Sequence, residues 1–97
     1  MFIYLITNQK GHYKIGVSKN PDKRIKSMET GNPDDLVIFY RYKTKNAHKI
    51  ERILHRLFES YKVKLEWFEL PIYEVRNFIY NCTKIETNLN YLEENKI

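Results

Sequence analysis

The chain has 97 residues, of which 42% are hydrophobic and 30% charged, and a single cysteine. That length makes one domain with a modest core. The lone Cys82 excludes a disulfide within the chain, and no apolar run reaches the ~20 residues of a membrane-spanning helix.

The net charge of +5 is unevenly placed. Up to Lys64 there are 14 Lys and Arg against 6 Asp and Glu, and from Leu65 onward 3 against 6. A basic face on the first two thirds favours polyanions such as nucleic acid; the bland alternative is that the lysines only solubilise the surface. Met1–Thr7 lacks the basic leader and long apolar stretch of a secretory signal. With no membrane segment and a reduced cysteine, an intracellular place, cytoplasmic or nuclear, is the expectation. No repeat or low-complexity linker divides the chain. It is expected to form a single domain over 1–97, with the core motifs in 1–70 and a helical extension in 71–97.

Phe2–Thr7 reads as a strand, Asn8–Gly11 as a turn with Gly11 free to take positive φ, and His12–Ser18 as the partner strand. Tyr13, Ile15 and Val17 alternate with Lys14, Gly16 and Ser18, the period of a half-buried strand. Asn20 suits an N-cap and Pro21 a first helical position, so Pro21–Met28 is a helix with Ile25 and Met28 inward. Thr30–Asp35 is a dense breaker cluster and a loop. Leu36–Tyr42 is a third strand that can pair in either direction.

Thr44–Asn46 caps a second helix, along which Ala47, Ile50, Leu54, Leu57, Phe58 and Tyr61 recur at helical spacing. Trp67 and Phe68 close the core beside the hairpin. Pro71 opens a further helix with Ile72, Val75, Phe78 and Ile79 inward. Ile85, Leu89 and Leu92 line a last helix, and Glu93–Ile97 frays. The expected fold is α/β of the α+β type: a small three-stranded, mostly antiparallel sheet flanked by helices, in the order β-β-α-β-α-α.

The segment Phe2-Ile3-Tyr4, followed by Lys14-Ile15-Gly16 and a helix bearing Lys23-Arg24, resembles the GIY-YIG nuclease superfamily. Met28–Pro33, Glu51 with Leu54-His55 and Phe58, and Glu66-Trp67-Phe68-Glu69-Leu70 resemble one compact branch, named after a phage open reading frame and a meiotically up-regulated yeast gene. The match covers roughly the first three quarters of the chain, and its specificity lies in the ordered set. It implies a divalent-metal-dependent endonuclease using Mg²⁺ or Mn²⁺.

Phosphodiester hydrolysis needs an activated water, a proton acceptor, positive charge at the phosphate and a stabilised leaving oxygen. The resemblance makes Tyr4 the general base. A free phenol titrates near about 10, so nearby positive charge from Lys14 and a metal-bound water must activate it. Better-known members carry tyrosine at the place of Lys14. The neighbouring Tyr13 cannot substitute, because one step along a strand reverses the face.

Lys14 would orient Tyr4 or hold a phosphate oxygen, and Gly16 would let the backbone approach closely. Arg24 would grip phosphate oxygens, since guanidinium binds them in two places. Glu51, the acid among the bases of Ala47–Phe58, would be the metal ligand, because Mg²⁺ uses few protein carboxylates. Each has a structural alternative: a packing tyrosine, a solvated edge lysine, a surface arginine, an ion pair of Glu51 with His48, Arg52 or His55. Gly16, Lys19, Lys23, Arg52 and His55 are the expected nucleic-acid contacts. Glu66 is read as structural or as a rim residue. The supporting asparagine of the superfamily is not assignable to Asn77 or Asn81.

Three functions follow. The first is a DNA endonuclease. The alternative is a catalytically weak or inactive nucleic-acid-binding module of a virus or phage. The third, resting on Tyr40, Tyr42 and the acidic tail, is a protein-interaction domain. DNA is favoured over RNA as partner, no membrane is expected, and a homodimer is one source of specificity for so short a chain.

Overall fold

Two paired strands set the frame of the molecule. In the computed structural model, which describes residues 1–31 and 34–96, β1 (Phe2–Thr7) runs antiparallel to β2 (Tyr13–Ser18), from Phe2 opposite Ser18 to Thr7 opposite Tyr13. The turn between them takes Gly11 to φ 87, and Gln9, which the sequence did not single out, to φ 63. Side chains hold that turn: Thr7 Oγ1 accepts from the Gln9 N–H and Asn8 Oδ1 from the Lys10 N–H.

Helix α1 (Pro21–Glu29) starts as the sequence predicts. Pro21 opens it, and Asn20 Oδ1 accepts from the Lys23 N–H at 3.2 Å, filling one of the unsatisfied donors of a helix start. At its other end the Glu29 carboxylate accepts from the Leu36 N–H at 3.1 Å, pinning the return of the chain. Of the predicted loop, Asn32 and Pro33 lie outside the described residues.

Strand β3 (Val37–Lys43) begins one residue later than expected and pairs antiparallel with β1. Leu5 faces Tyr40 while Ile6 faces Ile38, so Phe39 is an extra residue in a bulge. The bulge puts Tyr40 and Tyr42 against one core and Ile38 against the other.

The sheet has five strands, in the order β3-β1-β2-β5-β4, where three were expected. The two additions, β4 (Lys62–Lys64) and β5 (Trp67–Phe68), are too short to show a period of two. Leu65 lies between them at φ 53. Tyr13 pairs with Phe68 and Lys14 with Trp67, so β5 covers only the first part of β2. The observed order is therefore β-β-α-β-α-β-β-α-α.

Helix α2 (Ala47–Leu57) ends earlier than its apolar spacing predicts. The Phe58 N–H still bonds the Leu54 carbonyl, and Glu59–Tyr61 then tighten into a 3₁₀ turn, with Phe58 buried and Tyr61 packed on the core as the spacing predicts. Leu57, expected inside, lies at the margin of the apolar stripe in the last turn of α2 and is exposed. Asn46 precedes the helix without capping it; its side-chain amide donates to Asn90 instead. Two helices follow, α3 (Ile72–Arg76) and the long α4 (Phe78–Glu94). Ile72 and Leu92 are exposed, against expectation, whereas Val75, Phe78 and Cys82 are buried and Ile85 and Leu89 pack on the core. Glu93 and Glu94, expected to fray, close α4.

Both sheet faces are covered, which is why Ile3–Thr7 of the inner strand β1 are buried without alternation. Ile3, Leu5 and Ile15 meet Ile50 and Leu54 of α2 and Phe78 and Cys82 of α4. Tyr4, Ile6 and Leu36 meet Ile25 and Met28 of α1, with Trp67 alongside. No helix among the described residues is long and apolar enough to cross a membrane.

Candidate active site

The site begins with a missing side chain. Tyr4 stands opposite Gly16 in the β1–β2 ladder. A Cβ at Gly16 would lie 2.9 Å from Tyr4 Cε1 and closer still to Cζ and Oη, inside any distance real Cβ atoms adopt. The phenol therefore lies directly across the backbone of β2, in the space glycine leaves. The ring is almost wholly buried, at 3% exposure.

Three elements bring charge to that phenol. Arg24, in the first turn of α1, lies beside the hydroxyl and favours its ionised form. Glu51 of α2 and Glu66, which precedes β5, act the other way. Burial outweighs all of them and raises the phenol above its ordinary value of 10.0. Near neutral pH, Tyr4 in the free protein is thus a neutral hydrogen-bonding group.

Lys14 is not among the groups that act on Tyr4. The activating cation expected there is replaced by Arg24. Lys14 Nζ instead pairs with Glu66 Oε2 at 2.9 Å. That pairing is the main cause holding the Glu66 carboxyl below its ordinary range, with His55 and Arg24 adding to it. Nothing in the spacing of Lys14 and Glu66 signals their contact; it exists because β5 docks on β2. The sequence marked Glu66 only through the motif that contains it.

Glu51 and His55 sit one turn apart on the flank of α2, beside the part of β2 that β5 leaves uncovered. His55 Nε2 donates to the Ile15 carbonyl at 3.3 Å, and its ring meets Phe68 edge-on at 5.3 Å. Glu51 is half-buried yet makes no ion pair or hydrogen bond among the described residues. The intrahelical pair with His48, Arg52 or His55 does not form.

No group of three or more His, Cys, Asp or Glu is arranged for a metal ion among the described residues. A zinc cage needs such a group. Mg²⁺ or Mn²⁺ needs less: one or two carboxylates, with water and substrate oxygens completing the shell. The unpaired Glu51 carboxylate fits that lesser requirement.

At the β2–α1 junction Lys19, Lys23 and Arg24 line a shallow depression of about 330 Å³ with Ser18, Asn20 and Ser27. The expected contacts Lys19 and Lys23 thus join Arg24. Arg52 does not; it lies in a groove against α4. Asn77 spends its side chain on the Tyr73 carbonyl at 2.8 Å, and neither it nor Asn81 acts on Tyr4.

The architecture is a mixed α+β domain in which a tyrosine of the antiparallel sheet, an arginine of α1 and an unpaired carboxylate of α2 come together beside a basic depression. The chain belongs to the T5orf172 domain family, whose domain matches residues 1–87. The family is associated with nuclease-like folds and with nucleic acid. It is also similar to Uncharacterized protein 460R of Invertebrate iridescent virus 6, at 28% identity over 101 residues. That alignment takes in 98% of this chain and 45% of the viral protein, so the chain spans about half the length of this relative. No solved structure matches significantly.

Proposed function

We propose that the chain is a divalent-metal-dependent endonuclease of GIY-YIG type that hydrolyses phosphodiester bonds in DNA. The observation that carries this reading is the half-buried, unpaired Glu51 carboxylate beside the Tyr4–Arg24 pair. A carboxylate that no side chain of the protein engages is available to a cation, and Mg²⁺ or Mn²⁺ needs only one or two such ligands. Glu51 would hold Mg²⁺ or Mn²⁺, which would supply positive charge at the leaving oxygen. Arg24 would grip the scissile phosphate, with Lys19 and Lys23 holding its neighbours.

Tyr4 would position the attacking water and take its proton. Its raised pKa is the obstacle, and two of the causes are removable. Neutralising Glu51 lifts one negative charge that opposes ionisation, and freeing Glu66 from the phenol lifts another. Both changes move Tyr4 toward the phenolate that a base requires, while burial, the largest cause, still opposes it.

The second reading is a nucleic-acid-binding module that does not cut. The Lys14–Glu66 pair favours it, because the side chain at the second signature is occupied by a carboxylate instead of serving Tyr4.

Supercoiled plasmid incubated with Mg²⁺, Mn²⁺ or EDTA separates the two. The endonuclease reading expects relaxed or linear product that requires metal and is lost in Glu51→Ala and Arg24→Ala. Retained binding with uncut plasmid in every metal would leave the binding module. Cutting that survives Glu51→Ala would refute the assignment of the metal ligand.

A further inference from the structure

A second basic surface lies away from Tyr4. Lys49, Arg52 and Arg56 line a groove of about 350 Å³ between α2 and α4, with Ile53 and Leu89 as its apolar members and no acidic residue in its lining. At 100° per residue the three cations fall within an arc of roughly 60° on the helix, and Lys49 and Arg56 are ~10 Å apart along the axis. None of them forms an ion pair among the described residues. By contrast Lys10, Lys14 and Arg41 each hold a carboxylate.

An arrangement of this kind is unfavourable in the free protein, since like charges at i,i+3 and i,i+4 repel. Three cations on one stripe, left without acids, match a polyanion with regular spacing. A strand of a duplex rises ~3.4 Å per nucleotide along the duplex axis, so ~10 Å of helix laid along that axis spans about three phosphate steps. Ile53 and Leu89 offer apolar surface for the alkyl stems of the cations and for sugar faces.

The position relative to the site is set by the helix. Going round α2 from Glu51, His55 comes next, then Arg52, then Arg56 and Lys49. A backbone held at Glu51 therefore meets the stripe by crossing α2. At the start of the helix a neighbouring depression adds Lys45 and Asn46, and there Glu93 of α4 contributes a carboxylate. The stripe is thus bounded by negative charge at its Lys45 end.

We infer that the α2–α4 groove is a second nucleic-acid-binding site, in which Lys49 and Arg56, with Arg52 between them, grip the phosphate backbone of DNA beyond the position that meets Glu51. The inference rests on the reading of this chain as a nucleic-acid-binding protein but not on cleavage. Arg52 is one of the nucleic-acid contacts expected from the sequence; here it belongs to a track, separate from the Tyr4 site, with two residues that the motifs do not mark.

The test compares two variants with the same loss of charge. Lys49→Ala/Arg56→Ala removes two cations from the groove, and Lys84→Ala/Lys96→Ala removes two from elsewhere. Binding of a labelled duplex is measured by anisotropy from 0.05 to 0.4 M salt, with a thermal melt of each protein. The groove variant should flatten the slope of log affinity against log salt by about 1.8, at about 0.9 per phosphate contact. The same relation, referred to 1 M salt, is about 60-fold weaker binding at 0.1 M. The control should bind within about twofold of the parent.

Equal losses in the two variants, or an unchanged slope in the groove variant, would overturn the second site while leaving the reading of the Tyr4 site intact. A parent chain with no salt-dependent binding to DNA would overturn both. If the groove variant melts lower, Lys49→Gln/Arg56→Gln, which keeps stems of comparable size, repeats the comparison under the same criterion.

Discussion

Gly16→Ala is the most discriminating substitution this structure offers. Gly16 has no positive φ, so alanine meets no backbone objection there. The objection is the Tyr4 ring, whose Cε1 would lie 2.9 Å from the new methyl, with Cζ and Oη nearer. To reach ordinary contact the phenol must withdraw by about 1 Å, from a site that Ile6 and Leu36 already fill. Overpacking of this kind costs about 1–3 kcal/mol. In a domain of this size that lowers the melting temperature by roughly 4–8 °C per kcal/mol. If Tyr4 acts in cleavage, a ~1 Å displacement also costs about 10²-fold in rate.

The assay is a double-mutant cycle by denaturant unfolding: parent, Gly16→Ala, Tyr4→Ala and the pair. With the ring gone, alanine at position 16 should be close to neutral or mildly stabilising. The coupling should then amount to about 1–3 kcal/mol, well beyond the ~0.5 kcal/mol of independent sites. Additive costs would refute the claim that the phenol occupies the glycine's space.

Glu51→Gln should leave the midpoint of unfolding within about 1 kcal/mol of the parent, since the carboxylate has no partner to lose, while metal-dependent cleavage disappears; a large loss of stability would mean that its role is structural. Glu66→Gln should change stability by under ~1 kcal/mol, as expected of an exposed ion pair, and should tighten DNA binding by freeing Lys14; weaker binding by anisotropy would show that Glu66 itself contacts the ligand. Cys82 should resist iodoacetamide in the folded protein and react once denaturant is added, because burial pushes its thiol from 9.0 up to about 12. The same shift fixes a sign: between pH 9 and 12 the unfolded chain releases a proton that the folded chain keeps, so the thiol alone should lower stability by about 1.4 kcal/mol per pH unit there, and the raised phenols of Tyr4, Tyr42 and Tyr61 add to the fall above pH 10. Unfolding midpoints that do not fall in that window would contradict it.

The frame of this fold is local and so was legible. The alternation of Tyr13–Ser18, the Asn20-Pro21 start and the apolar spacing of Ile50 and Leu54 act within a few residues, and each element lies where they indicate. What was hidden depends on docking. Two strands of two and three residues have no period to read. The 3₁₀ turn of Glu59–Tyr61 ends a helix that the apolar spacing alone continues to Tyr61. In the site, the residue types at Tyr4, Gly16, Arg24 and Glu51 drew attention through their resemblance to a family. The proximity of Arg24, Glu51 and Glu66 to one phenol came from the packing of α1, α2 and β5 around β1. Lys14 shows the limit most clearly: its position on the strand was correct, and its partner lay 52 residues away.

The two outer strands bear on how this protein meets copies of itself. At one margin of the sheet, β4 is a three-residue segment with lysine at both ends, Lys62 and Lys64, all of it exposed. At the other, the bulge at Phe39 breaks the regular register of β3. Unsatisfied strand edges invite strand addition from a neighbour, and short, charged or kinked edges discourage it. Edge-to-edge extension of the sheet is therefore disfavoured at both margins, and the helical surface, where Tyr80, Tyr91 and Leu92 of α4 are exposed, offers the larger apolar area for self-association.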